Sequence, residues 1–387
     1  MSFRPDKLGA AIAAIAAYAV IAAPFATFRA NRIVAGEARS LIAALPPSAA
    51  ALLLVVIAVA AIVALGRTPV FLRLAASFTA LGVLALLIGV TAGYLTPPDN
   101  SYARVSPASG FWLLIFAFAL LAADSFTRLS LSPLMRIAVL AGVAIAIWLL
   151  LISGIWNELS IMKEYAGRAD SFRAEAGKHV TLALGSLAAA IVVGLPLGVL
   201  CHRAPVVRDA ILNVLNIVQT IPSIALFGLL IAPLGWIATN VPGATAIGIH
   251  GIGAAPAFVA LFLYSLLPVV ANTVVGLAGV PPGANDAARG VGMTGWQRLS
   301  RVEFPLAFPV ILTGIRIVLV QNIGLATIAA LIGGGGFGVF VFQGIGQTAM
   351  DLVLLGAIPT VALAFAAAVI LDALIEISSA SQKGRPA

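Results

Sequence analysis

The sequence predicts an all-α membrane protein, a polytopic bundle of about ten transmembrane helices. Of its 387 residues, 61% are hydrophobic and only 9% are charged, so polar side chains are too few to cover a water-facing globule. The apolar residues fall in long runs, close to the roughly 20 residues that cross a hydrocarbon core as a helix. Alternating ten-residue runs, typical of a membrane β-barrel, are not the pattern seen here.

Apolar runs bounded by charge, proline or glycine predict ten spans. They cover residues 8–25, 49–65, 74–95, 110–123, 137–155, 180–200, 211–234, 255–275, 311–332 and 352–371. A signal peptide is the alternative for the first run, because Arg4 and Lys7 precede it and small residues follow it.

The Lys and Arg residues predict the orientation. Most of them lie in loops that face the cytoplasm if both termini are cytoplasmic in a bacterial inner membrane, as the positive-inside rule favours. The net charge of +8 therefore indicates topology and not a nucleic-acid partner. Arg29, Arg32 and Arg39 are a misfit, since this orientation places them outside.

The chain divides near residue 156. Residues 1–155 contain five predicted spans joined by loops without recognisable chemistry, so no role is predicted for them. Residues 156–179 form a mixed-charge segment with acidic and basic residues at helical spacing, which predicts a surface helix on the periplasmic face. Residues 180–375 contain the other five spans, and residues 376–387 are a predicted cytoplasmic tail.

The most informative stretch is the polar loop from Val280 to Pro309. Pro282 can begin a helix, and the glycines that follow would end it. Thr294 with Gln297 fits a capping box, which begins a second short helix, and Pro305 marks the entry into the next span. The pattern predicts a cytoplasmic helical hairpin over residues 280–305 whose small side chains allow close seating in another protein. An ordinary hairpin without a partner is the alternative.

This loop resembles the EAA motif of ABC importer permeases, which reads Glu-Ala-Ala, three residues, Gly, nine residues, Ile, one residue, Leu-Pro. The matching positions are Asp286, Ala287, Ala288, Gly292, Val302, Phe304 and Pro305. The spacing agrees throughout, and Asp for Glu, Val for Ile and Phe for Leu are conservative departures. The resemblance implies that the loop docks into a separate ATPase subunit.

Further stretches are similar to the osmoprotectant branch of these permeases, which transports glycine betaine, choline and carnitine. They are Gln219–Ser223, Leu261–Asn272, Ala287–Met293, Asn322–Ile332 and Gly333–Gly338. The resemblance extends over about residues 179–375. It implies a type I ABC importer core, a cytoplasmic ATPase dimer, a periplasmic substrate-binding protein and a second permease subunit, identical or homologous.

Polar residues within the predicted spans of the second half are candidates for a translocation path, because polar side chains in lipid usually face a cavity or another helix. The candidates are Gln219, Thr220, Pro222, Asn272, Gln321 and Asn322. The alternative is hydrogen bonding that holds the helices together. We also expect Gly333–Gly338 and the phenylalanines around its end to face the binding protein, with a flexible turn as the alternative.

Several function classes are disfavoured. The four lysines are not followed by Ser or Thr, so there is no Walker A loop, and ATP hydrolysis would fall to a partner. Three scattered histidines and one cysteine predict no catalytic residue, metal or cofactor. One alternative is a permease for another small solute, such as an amino acid or a sulfonate. A second is an ion-coupled secondary carrier, which normally shows an intramembrane carboxylate or paired repeats. A third is a membrane enzyme.

Overall fold

The computed structural model describes residues 6–383, with side chains up to residue 379. Arg4 and residues 384–387 of the predicted tail lie outside the described part. Within it the chain is mostly α-helical with one small sheet, and the predicted all-α fold class is confirmed. The chain forms two compact units, divided between Gly167 and Arg168.

The first unit is a helical bundle with a small sheet. Its elements are α1 (Lys7–Ile21), β1 (Ala26–Arg29), β2 (Glu37–Arg39), α2 (Leu41–Ala44), α3 (Pro47–Leu65), α4 (Val70–Leu95), β3 (Arg104–Pro107), α5 (Ser109–Leu129), α6 (Pro133–Ile152) and α7 (Ser160–Ala166). Helices α1, α3, α4 and α5 pack around a core that includes Ile12, Leu53, Leu84 and Phe118. No side chain of α6 is buried.

Helix α1 is shorter than the predicted span 8–25. Its 15 residues fall short of the roughly 20 that cross a hydrocarbon core, because the chain turns into β1 soon after Ile21. Ile12 and Ala16 are nevertheless buried. A Cβ added to Gly9 would lie 1.8 Å from the carbonyl oxygen of Ala64, so this glycine permits close approach to α3. Helix α1 is thus an integral helix of the first unit.

The three-stranded sheet was not predicted. Strand β1 is central and pairs antiparallel with β2 and with β3. Phe28 pairs with Val105 on the face toward the core, whereas Arg29 pairs with Arg104 on the opposite face. Because β3 lies far along the chain from β1, the pairing is non-local and leaves little trace in sequence periodicity.

An ionic cluster ties α4 and α5 to the start of α1. The Arg73 side chain is 2% exposed, and its guanidinium lies 2.6 Å from the carboxylate of Asp6 and 3.4 Å from that of Asp124. Arg128 contacts the same two carboxylates. The predicted third span begins just after Arg73, and the predicted fourth span ends just before Asp124. Because these charges are paired, both helices extend past them. Helix α5 therefore has 21 residues and is not a short span.

The second unit contains the remaining long helices. Its elements are α8 (Ala169–Arg203), α9 (Pro205–Thr220), α10 (Ser223–Asn240), α11 (Ala254–Ala278), α12 (Pro282–Gly290), α13 (Gly295–Arg298), α14 (Phe304–Ala326), α15 (Gly338–Gly346) and α16 (Met350–Lys383). Short 3₁₀ turns lie at Thr245–Ile247 and Ile328–Ile332, and a π-helical turn at Leu299–Glu303. Helix α16 continues through the described part of the predicted tail.

Helix α11 is the centre of the second unit and packs against both α8 and α14. Small residues bring the helices together. A Cβ on Gly198 would lie 2.5 Å from Thr273, and one on Gly314 would lie 2.8 Å from the Pro268 carbonyl oxygen. Glycine at such contacts lets backbones approach closely, as in other membrane helix bundles.

Two predicted boundaries in this unit are wrong. The segment 156–179 is not one surface helix: after α7 the chain turns at Gly167, and residues 169–179 are the first turns of α8, because no proline interrupts them. The predicted span 211–234 is two helices separated at Ile221. Pro222 causes this break, since proline disfavours a helical residue before it and donates no backbone hydrogen bond.

Nine helices within residues 6–383 are long and apolar enough to cross a membrane. They correspond to nine of the ten predicted spans, with α10 in place of the run 211–234, and α1 is the shorter exception. The uninterrupted helix Gly295–Ala326 contributes one of them, so the crossing after the predicted hairpin is joined directly to the hairpin itself.

We expect the ionic cluster to make the stability of the protein sensitive to acid. Burial raises the pKa of Asp6, but the hydrogen bond and charge of Arg73, with the charge of Arg128, outweigh burial and hold the pKa below the ordinary 3.8. A carboxyl with a lowered pKa stabilises the fold above its ordinary value and loses this contribution as the pH falls through the lowered one.

The free energy of unfolding of Asp6→Asn should therefore decrease less than that of the wild type as the pH is lowered from about 5 to about 2, measured by denaturant titration. Asp99→Asn makes the same chemical change at an exposed carboxyl and should retain the wild-type acid sensitivity. Equal acid sensitivity of Asp6→Asn and the wild type would contradict this role for Asp6.

Candidate functional site

The predicted hairpin begins with α12, which carries the first three motif residues. Asp286 and Ala287 are exposed, whereas Ala288 is 4% exposed and packs inward. The chain then reverses at Gly292, which has φ +79 and is exposed. This left-handed conformation strains residues with a Cβ, which is the physical reason for a glycine at this position.

The second arm begins with the predicted capping box. The Gln297 backbone N–H donates to Thr294 Oγ1 at 3.3 Å, and the Thr294 backbone N–H donates to Gln297 Oε1 at 2.9 Å. This arm is not a separate short helix, however, because α13 continues through the π-helical turn into α14. Pro305 lacks the N–H for a regular helical bond, and the wider turn before it accommodates this loss. Pro305 is exposed and Val302 is partly buried.

A buried carboxylate, which the sequence did not single out, holds the second arm. Glu303 accepts from Arg298 Nε at 2.9 Å and from Arg203 Nη2 at 3.2 Å, and its side chain is 6% exposed. Arg203 also donates to the carbonyl oxygen of Gly295 at 3.2 Å. These contacts, which we call the Glu303 clamp, join the hairpin to the end of α8. A lone acidic residue among several arginines was the signal for it in the sequence.

Among the path candidates, Gln219 has a defined backbone partner. Pro268 removes the N–H that would bond the Tyr264 carbonyl within α11, and Gln219 Nε2 donates to that carbonyl oxygen at 2.7 Å. The Tyr264 hydroxyl donates back to the Ile221 carbonyl oxygen at the break between α9 and α10. The two side chains thus satisfy backbone carbonyls at helix interruptions in both elements, as burial in a membrane requires.

The other path candidates divide into accessible and buried positions. Thr220 and Pro222 are exposed at the end of α9 and the start of α10, and Gln321 and Asn272 are partly buried. The Thr220 hydroxyl donates to its own helix, to the Ile217 carbonyl oxygen. Asn272 Nδ2 donates to the Pro268 carbonyl oxygen at 2.8 Å. Thr220 and Pro222 therefore lie at the break that follows α9, and the polar side chain of Thr220 is accessible there.

Asn322 is completely buried and connects three helices. Its Nδ2 lies 2.9 Å from Ser186 Oγ on α8 and 2.9 Å from Ser265 Oγ on α11. In this conformation Asn322 hydrogen-bonds between helices, which is the alternative to the predicted role in the translocation path.

The glycine run is buried except for Gly333, contrary to the expected binding-protein surface. Gly334–Phe337 is buried, and the Gly336 N–H donates to the Glu175 carboxylate at 2.6 Å. The Phe337 N–H donates to His179 Nδ1 at 3.3 Å, and the Phe337 ring packs 5.3 Å from that of Phe172. The first turns of α8 cover the run. Both the predicted separate surface helix over residues 156–179 and the predicted exposure of the glycine run are wrong because residues 169–179 belong to α8.

We expect Gln219→Leu to destabilise the protein by about 1–2 kcal/mol, because the Tyr264 carbonyl loses its partner. Pro268→Ala supplies a new backbone N–H to that carbonyl, so Gln219→Leu should cost less in the Pro268→Ala background. Thermal unfolding of the four proteins of this double-mutant cycle measures the difference. Thr220→Val, next to Gln219 but exposed, is the control. Additive effects of the two changes would contradict the assignment.

We expect Glu303→Gln to lower the free energy of unfolding by about 2 kcal/mol, since two arginines lose a charged acceptor. Arg208→Gln removes one partner of the exposed Arg208–Asp209 pair and should change stability by less than about 0.5 kcal/mol. Denaturant unfolding in detergent compares the two variants. Equal effects would show that the Glu303 clamp contributes no more than a surface ion pair.

Comparison with known proteins agrees with the resemblance seen in the sequence. Residues 190–383, half of the chain, match the family described as binding-protein-dependent transport system inner membrane component. Residues 6–162 match the N-terminal domain of the ABC transporter permease YehY.

Individual relatives match the second half. The osmoprotectant import permease protein OsmW of Salmonella typhimurium is 46% identical over 181 residues, 47% of this chain and 79% of that protein. The glycine betaine/carnitine/choline transport system permease protein OpuCB of Bacillus subtilis is 37% identical over 202 residues, 52% of this chain and 84% of that protein. Among solved structures, the inward-facing MetNI methionine ABC transporter has 22% identity and a TM-score of 0.45 over 54% of this chain and 95% of that chain.

The family match spans the helices that carry the exposed hairpin and the path candidates, and two relatives align over most of their own length. The chain therefore belongs to the family of inner membrane components of binding-protein-dependent transport systems.

Proposed function

We propose that this chain is the permease subunit of an ATP-driven importer for small osmoprotectants of the glycine betaine, choline or carnitine type. The observation that carries the proposal is the hairpin of residues 282–298, which presents the motif residues Asp286, Ala287 and Gly292 on an exposed surface and continues without a break into a helix long enough to span the membrane. Similarity to OsmW, an osmoprotectant import permease protein, and to OpuCB, a glycine betaine/carnitine/choline transport system permease protein, supports the solute class.

The hairpin is proposed to dock into a cytoplasmic ATPase dimer. Asp286 and Ala287 would contact the ATPase, and Ala288 seats α12 on the protein. Force applied to the hairpin has two physical routes into the membrane region: the unbroken helix into α14, and the Glu303 clamp onto α8. Closure of the ATPase dimer would then switch the permease between inward-open and outward-open states.

The translocation path is proposed to run past the break between α9 and α10. Gln219, Thr220, Pro222, Asn272 and Gln321 would line it, and Asn322 would hold the neighbouring helices in place. Carbonyl and amide oxygens suit a quaternary ammonium solute better than fixed positive charge does. Weak contacts of this kind suit a conduit, with selection by a periplasmic binding protein, and a second permease subunit, identical or homologous, would complete the path.

Gly292→Ala tests the coupling role. The Cβ would meet no atom within 4 Å, so the cost arises from the positive φ, roughly 1–2 kcal/mol of backbone strain that distorts the turn. In cells with this chain as their only permease, uptake of labelled glycine betaine or choline should fall at least severalfold while the protein remains inserted. Gly290→Ala, two residues earlier and equally open, is the matched control and should transport normally.

The side of the membrane on which the hairpin lies can contradict the proposed docking to an ATPase. The single cysteine, Cys201, is buried, so a cysteine placed at Asp286 can be labelled selectively. An impermeant maleimide should label Asp286→Cys in inside-out vesicles and not in spheroplasts. Labelling in spheroplasts would place the hairpin in the periplasm, beyond the reach of an ATPase. Normal uptake by Gly292→Ala would remove the coupling role but not the solute assignment.

A further inference from the structure

The sheet of the first unit and the loop between β1 and β2 carry four arginines that the positive-inside rule does not explain. Two have acidic partners: Arg39 pairs with Glu37, and Arg32 lies 3.4 Å from the Glu164 carboxylate. Within residues 6–379, no acidic partner is found for Arg29 or Arg104. These two are also partly buried, so solvent does not fully screen them.

Arg29 and Arg104 are directly opposite each other in the antiparallel pairing of β1 with β3. Residues opposite each other have neighbouring side chains on the same face, and like charges in this position are destabilising. Gly36, just before β2, leaves room for the Arg29 side chain, since a Cβ there would lie 3.1 Å from Arg29 Nε. The two arginines therefore concentrate positive charge on this face of the sheet, which attracts an anion.

The guanidinium of Arg104 is incompletely satisfied. Its Nε and Nη1 are shielded from solvent and have no hydrogen-bond acceptor among the described residues. Buried donors almost always have a partner in a folded protein, so an acceptor is missing here. Arginine presents its donors as a planar fork that matches the oxygens of a phosphate or carboxylate.

A cavity of about 570 Å³ lies against Arg104. It is lined by Ala30, Asn31, Arg32, Ile33, Asn100, Tyr102 and Arg104. Asn31 and Asn100 shape its wall. Asn31 Oδ1 accepts from the Ile33 N–H of its own loop, whereas Asn100 accepts from the Tyr102 N–H and donates from Nδ2 to the Ala30 carbonyl oxygen of the other loop. The cavity therefore has two cationic side chains and contains no Asp or Glu among its lining residues.

The rim of the cavity is apolar and aromatic. Ile33 is 95% exposed and Tyr102 is 76% exposed, and Val34 continues the same loop tip. Tyr94 and Trp112, near the adjoining ends of α4 and α5, are also exposed. Exposed aromatic side chains at the ends of spanning helices are typical of the membrane interface. Acyl chains would cover the apolar tip, whereas a free anion would not.

We propose that this cavity binds the phosphate of an anionic phospholipid, with Arg104 as the ligand of the phosphate, Arg29 beside the cavity as a second positive charge, and Ile33 and Tyr102 against the glycerol and acyl region. The bound phosphate neutralises the opposed arginines and anchors the sheet at the interface. The site is in the first unit, and the proposal does not depend on which solute the permease transports.

The test uses the full chain in nanodiscs of phosphatidylcholine, with and without phosphatidylglycerol, and measures the thermal unfolding midpoint. The wild-type midpoint should rise by about 3 °C with phosphatidylglycerol. Arg104→Gln and Arg29→Gln should lose most of this rise, and in pure phosphatidylcholine neither should melt below the wild type, because repulsion is relieved. A purely structural role would instead lower the midpoint of both variants in either lipid.

Arg39→Gln is the matched control, since it removes the same charge from the same sheet at an arginine that already has a partner. If Arg39→Gln loses as much of the rise as Arg104→Gln, the effect is diffuse charge attraction and the proposal is wrong. Inorganic phosphate added to phosphatidylcholine nanodiscs should not reproduce the rise. If it does, the site binds a free anion and the lipid assignment fails. Should Arg104→Gln not fold, Arg29→Gln decides alone.

Discussion

Polar groups inside a lipid-surrounded helix bundle must find their hydrogen-bond partners within the protein, and this constraint organises the second unit. Asn322 meets it by bonding to serines on α8 and α11. Gln219 meets it by bonding to the carbonyl that Pro268 leaves free. Each contact crosses between helices, so satisfying polar groups and fixing the helix arrangement are one event. Asn322 and Gln219, which the sequence suggests as lining residues of a solute path, therefore also hold the helices together.

The same constraint shapes the region proposed to meet the ATPase. Pro305 removes a backbone donor, the helix widens before it, and Glu303 in the widened turn bonds to Arg203 and Arg298. A helix that began as the second arm of an exposed hairpin therefore enters the membrane region without a flexible joint. Stiffness at this position would matter in the proposed coupling, because a mobile connection would absorb any displacement of α12 before it reached α14.

Charge is handled differently in the first unit. The cluster around Arg73 pairs opposite charges and ties helix ends together, whereas the sheet places Arg29 directly beside Arg104. In the first arrangement each charged side chain lies beside an oppositely charged one. The second places like charges together beside an exposed rim of Ile33 and Tyr102, and the proposed phospholipid would complete it.

The sequence by itself determined the features that depend on local pattern. Long apolar runs predicted the helical membrane fold, Thr294 and Gln297 predicted the capping box, and the spacing from Asp286 to Pro305 identified the family of the second half. These signals lie within a few turns of chain, where periodicity and capping chemistry act directly.

Only the tertiary structure decided what each polar residue contacts. Whether Asn322 faces a path or a neighbouring helix, which helix covers the glycine run, and where Glu303 finds its arginines depend on residues far apart in the chain. The pairing of Arg29 with Arg104 is equally non-local. Periodicity along one segment contains no information about such partners, because they are set by how the helices and strands pack.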